Sequence, residues 1–103
     1  MDNYALPLFA LVDRHKVDLN SSQLPQLAEQ LQLYLEAQVG LKALDCRIEI
    51  LQPTKALFVL NGVEEDSLPQ LFALADAQGA PVFRYQRSAS DEVTLTPLGV
   101  KPD

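Results

Sequence analysis

The sequence predicts an α+β sandwich in which two helices cover one face of an antiparallel sheet. Three observations predict it. Two helix-periodic stretches each open on the same Leu-Pro-Gln-Leu string. Apolar or alternating runs of strand length stand before, between and after them. Each helical stretch also stops at a glycine, Gly40 in the first and Gly79 in the second.

The first run, "ALPLFALV" at 5–12, is short and apolar and ends in the charged stretch "DRHKVD", so it reads as a buried strand. Pro7 cannot donate to a ladder, so pairing on that side is expected to begin at Leu8, or the strand lies at an edge. In "SSQLPQLAEQLQLYLEAQVG", Leu24, Leu27, Ala28, Leu31, Leu35 and Val39 fall on one side of a helix. A helix interior uses every N–H, so Pro25 belongs in the first turn, and Ser22 is the expected N-cap.

"CRIEILQ" at 46–52 alternates, with Cys46, Ile48 and Ile50 facing one way and Arg47 and Glu49 the other. "PTK" reads as a turn into the nearly all-apolar "ALFVLNG" at 56–62, which completes an antiparallel hairpin. The second helix follows in "DSLPQLFALADAQG", where Ser67 and Gln70 match a capping box. Glu64, Glu65 and Asp66 put negative charge at its positive end. "PVFRYQR" (81–87) and "EVTLTPL" (92–98) are the closing strands, with "SASD" as the turn between them.

The order β-α-β-β-α-β, followed by a short extra C-terminal strand, is that of a ferredoxin-like sandwich, here as one domain over 1–103. That arrangement places the first and third strands at the centre. Both are apolar on two sides, whereas the second and fourth alternate as edge strands often do. The repeated Leu-Pro-Gln-Leu needs no ligand to explain it. A serine cap, a first-turn proline and two core-facing leucines are what a helix start requires.

Of the 103 residues, 48% are apolar and 21% charged, which is a globular composition. The net charge of -6 argues against nucleic acid and anionic membrane as partners, since both call for clustered Lys and Arg. Cys46 is the only cysteine, so an intrachain disulfide and a Cys-based zinc site are excluded. The opening residues lack a basic n-region, and their apolar run is interrupted by Pro7. A cytoplasmic protein with neither signal peptide nor membrane span is expected.

No Ser-His-Asp, His-x-x-x-His or paired-carboxylate pattern specifies a reaction, and no cofactor or metal is expected. The central strands pose the sharper question, because a soluble chain rarely leaves a large apolar patch bare. Either strand five or residues 97–103 cover the second sheet face, or a protein does, most simply a second copy, or a ligand cavity lies between the sheet and its cover. The expected function is therefore a non-catalytic cytosolic module that dimerises or docks a protein through its sheet. Leu8, Phe9, Ala10, Leu11, Phe58 and Val59 are its candidate contact residues.

The alternative is a binder of small anionic metabolites, or a minor enzyme, using the 13–18 loop. His15 would serve there as acid or base, and Arg14 with Lys16 would hold a phosphate or carboxylate. Alternating signs in a loop more often make a solvated turn, and no glycine-rich cradle lies beside this one. Cys46 is in phase with Ile48 and Ile50, which makes it a core residue rather than a reactive thiol. Glu64, Glu65 and Asp66 lack calcium-loop spacing. "VFRYQR" lacks the Lys/Arg-Gly-aromatic pattern of RNA-recognition sheets.

Overall fold

The computed structural model of the chain describes residues 2–52 and 55–98. In chain order these residues form β1 (Asp2–Pro7), α1 (Leu24–Tyr34), β2 (Asp45–Gln52), β3 (Lys55–Val63), α2 (Leu68–Ala77), β4 (Val82–Arg87) and β5 (Val93–Leu98). The strands make one open antiparallel sheet of order β2-β3-β1-β4-β5. The chain is thus an α+β fold, with β1 and β3 inside the sheet as their two-sided apolar character requires. β4 is interior as well, because β5 pairs along it from Val82–Leu98 to Arg87–Val93. Its alternation reflects two differently used faces rather than an edge.

The first strand differs from its expected span. It begins at Asp2 and stops at Pro7, and Leu8–Ala10 turn into a 3₁₀ helix instead of continuing. Both the Leu11 and Val12 amides donate to the Leu8 carbonyl, at 2.9 and 3.2 Å. Pro7 is thus the last residue of the strand, a position where its missing N–H interrupts little of the ladder. Leu8 still points inward and is fully buried.

Both Leu-Pro-Gln-Leu strings begin helices, with Pro in the first turn of each, but their serines do other work than capping. The α1 N-cap is Gln23, with no side-chain cap bond. Ser21 accepts from the Gln23 amide at 3.0 Å, and Ser22 is exposed. Ser67 does precede α2, yet its hydroxyl accepts from the Lys42 amide at 3.0 Å, so the capping box with Gln70 does not form. Buried Ser67 therefore ties the segment after α1 to the start of α2. Beyond α1 the chain continues through one π-turn, Leu35–Val39, and Gly40 ends it with φ 76°. The Leu41 amide then closes onto the Leu35 carbonyl at 3.1 Å, a left-handed C-terminal stop.

Both helices pack on one sheet face. Tyr4 and Leu6 of β1, Cys46 of β2, Ala56, Phe58 and Leu60 of β3 and Val82 of β4 meet Ala28, Leu35, Leu71 and Ala75 there. Phe58 lies at the middle with no exposed surface, a burial that stabilises by about 1.5–3 kcal/mol. At the far end of β3 a bulge sets two residues, Asn61 and Gly62, against Asn3. Gly62 takes φ 64°, and its amide donates to Asn3 Oδ1 at 2.9 Å.

Candidate functional site

The sheet face away from the helices was the place where the sequence called for a cover. Ala5, Leu57 and Val59 lie there, each essentially inaccessible, and the residue that joins them is Tyr85. Tyr85 stands on β4, yet its hydroxyl bonds to side chains of β2, beyond both β1 and β3. Strand parity permits this span. Ala5 lies level with Phe83 on the neighbouring strand, and its methyl group leaves a trough into which the next aromatic can lean.

A polar cluster fixes the far end of the ring. The Tyr85 hydroxyl donates to Glu49 Oε2 and accepts from the Arg47 and Arg87 guanidinium groups at 3.1 and 2.9 Å. Arg47 also lies over the ring face, 5.2 Å from its centroid. Arg87 donates to Glu49 Oε1 at 2.5 Å and to Asp91 at 2.7 Å. The bond to Asp91 first, then the bond to Tyr85 and the charge of Glu49, hold Arg87 more firmly protonated than an ordinary arginine. Partly buried Val93 and Leu95 of β5 complete the cover.

The second face is therefore closed by Tyr85 and its ion cluster. β5 lies beside β4 in the plane of the sheet, and residues 99–103 of the expected tail lie outside the described residues. The Tyr85 hydroxyl and the Glu49 carboxylate are engaged with each other and with two arginines, and Glu49 is mostly buried. Such a saturated cluster orders the face. It leaves no vacant acid, base or anion-binding group at its centre.

The candidate contact residues have separate fates. Leu8 and Phe58 are enclosed under the helices and Val59 under Tyr85, while Phe9, Ala10 and Leu11 are half-buried in and after the turn that follows β1. Arg14, His15 and Lys16 form an exposed 3₁₀ turn capped by Asp13, whose carboxylate accepts from the His15 amide at 3.0 Å. They do not converge. Arg14 stacks on Phe9 at 4.8 Å, and only Lys16 of the three lines the nearby depression of about 270 Å³. Cys46 is buried as its phase predicted, and burial with the neighbouring Asp45 pushes its thiol up to about 12. Among the described residues, no group of three or more His, Cys, Asp or Glu could hold a metal ion. None of their helices is long and apolar enough to cross a membrane.

What stays open is an edge. Among the described residues nothing pairs with the outer side of β2, an eight-residue strand without proline. Exposed large apolar side chains gather near it: Leu44 at 73%, Ile50 at 43% and Leu51 at 36%. A groove of about 450 Å³ runs between this edge and α1, lined by Pro25, Ala28, Gln32, Cys46 and Ile48 among others. The opposite edge, β5, carries Pro97, which lacks a donor. No family model, curated protein or solved structure matches the chain.

Sequence reasoning did not single out Glu49, Tyr85 and Arg87. The signal was present in the alternation of β2, which sets Arg47 and Glu49 opposite the helix side, and in Phe83 and Tyr85 sharing a strand face. Only the strand order brings those two faces together.

Proposed function

We propose that the chain is a non-catalytic cytosolic interaction module, built as a ferredoxin-like sandwich, that docks another polypeptide along the open edge of β2. One observation carries this reading: the second sheet face is closed from within, whereas among the described residues β2 offers an unpaired edge with apolar side chains beside it. An exposed edge is a row of unsatisfied N–H and C=O groups that templates pairing, and folds that do not use one usually charge, shorten or cover it. A strand added between an edge and a neighbouring helix is a recurring mode of peptide recognition, and the groove beside α1 has that form. The order β2-β3-β1-β4, with both helices on one face, supports the ferredoxin-like assignment. The lone buried cysteine accords with a reducing compartment.

The test compares two surface charges in the whole chain. Ile50→Lys charges the edge, and Val93→Lys charges the Tyr85 face. Association, with a second copy or with another protein, is expected to be lost in I50K and kept in V93K, with both circular-dichroism spectra unchanged. Loss confined to V93K, or no association by the wild-type chain at all, overturns the reading.

A further inference from the structure

We infer that the strand docked on β2 is β2 of a second copy, paired antiparallel about a two-fold axis at Ile48. This rests on the edge-docking reading above and names its partner. Two-fold pairing of a strand with itself joins residues whose numbers have a constant sum. Registers about Cys46 and about Ile48 both oppose unlike charges, but the first draws on Leu44 outside the strand, and only the second keeps Cys46 through Ile50 paired within Asp45–Gln52. With Ile48 opposite Ile48, Arg47 lies opposite the second copy's Glu49, and Glu49 opposite the second copy's Arg47. Sliding each strand by one residue toward Arg47 sets arginine against arginine, and sliding it toward Glu49 sets glutamate against glutamate. Directly opposed like charges destabilise a strand pair, and opposed unlike charges support it.

The helix-side face agrees with the same register. Cys46, Ile48 and Ile50 form one stripe there, paired in the sheet with Leu60, Phe58 and Ala56. Pairing about Ile48 sets Cys46 opposite the second copy's Ile50. That carries exposed Ile50 into the groove that Ala28, Cys46 and Ile48 line beside α1. Apolar meets apolar and charge meets opposite charge along the whole stretch from Cys46 to Ile50 at this setting of the axis, as a self-complementary two-fold contact demands. The side chains lie within Asp45–Ile50, short of the register irregularity at Ile50–Gln52, so the ladder there is regular. Arg47 keeps 40% of its side chain exposed and so can reach outward, while Glu49, 16% exposed and held by Tyr85 and Arg87, stays in its own cluster and offers its charge to the second copy's Arg47 from there. The product is a continuous ten-stranded sheet with all four helices on one face.

The experiment measures solution mass by light scattering for the whole chain, for R47E, for E49R and for an equimolar mixture of the two variants. Wild type is expected at twice 11.4 kDa, each variant alone at the monomer mass, and the mixture again at the dimer mass. In the mixture each glutamate faces an arginine. A covalent readout spares the charged cluster. I48C in a C46A background places two thiols directly opposite each other on the axis, so copper-phenanthroline oxidation should yield a disulfide-linked dimer that is absent from C46A alone. A wild-type monomer overturns the second-copy inference while leaving I50K against V93K to judge docking of a different protein. A dimer that persists in R47E and E49R, or an oxidised C46A/I48C without cross-link, overturns the register.

Discussion

Tyr85 on β4 donates its hydroxyl hydrogen to Glu49 on β2, so that one ring spans the two strands between them and closes the sheet face opposite α1 and α2. The apolar residues beneath, Ala5, Leu57 and Val59, are sealed by a residue of their own sheet. That relationship moves the open surface from the face to the edge of β2.

Tyr85→Ala should destabilise the chain by about 3–5 kcal/mol, the range for truncating a large buried aromatic. Tyr85→Phe keeps the ring and removes the bonds to Glu49, Arg47 and Arg87, for a loss of about 1–2 kcal/mol. Urea unfolding followed by circular dichroism reads both. If Y85A loses less than Y85F, the ring is not the cover.

Gly62 should resist replacement. Its φ of 64° disfavours any other residue, and an added Cβ would stand 2.7 Å from Leu44 Cδ1. Gly62→Ala is expected to cost about 1 kcal/mol or more, and combining it with Leu44→Ala should relieve the steric part but not the backbone part. Full recovery in the double variant would assign the whole effect to Leu44.

Burial with Asp45 raises the Cys46 thiol from 9.0 to about 12, which gives stability a definite pH dependence. Below pH 9 the thiol is protonated in both folded and unfolded chains and contributes no slope. Between about 9 and 12 only the unfolded chain releases the proton, so this contribution to stability falls as pH rises. Cys46→Ala should remove that part of the decline. Alkylation by iodoacetamide at pH 8 should be slow in the native chain and fast in urea, and equal rates would show the thiol to be exposed.

Ser67→Ala should loosen the join between the segment after α1 and the start of α2, because the Lys42 amide loses its acceptor. About 1 kcal/mol is expected, with faster amide exchange at Lys42. A change confined to α2 would instead restore the capping role.

Replacing Arg14, His15 and Lys16 together with alanine should change stability by less than about 1 kcal/mol, since all three are exposed and only Arg14 makes an aromatic contact. Association should be unaffected. Loss of binding to phosphate or carboxylate compounds, read by calorimetry against the wild-type chain, would return this turn to candidacy.

Much of the fold was legible because its signals are local. The two proline-started helices, their glycine stops, the alternation of β2 and the position of Cys46 each follow from a few consecutive residues. The misses were non-local. Ser67 looks like a cap within "DSLPQ", but Lys42 takes its hydroxyl from 25 positions away. The apolar run through Leu8–Val12 looks like strand, but its side chains are buried equally well from a turn, and periodicity cannot separate the two. Tyr85 and Glu49 are 36 positions apart and meet only through strand order and parity. The covering of the second face therefore had no local signature.

Amide hydrogen exchange of β2 as a function of protein concentration tests the central claim most directly. The account predicts that peptides within Asp45–Gln52 exchange more slowly as concentration rises, while those of β5, the other edge, do not change. Slowing at β5 or across the Tyr85 face with β2 unaffected, or no concentration dependence anywhere, would contradict it.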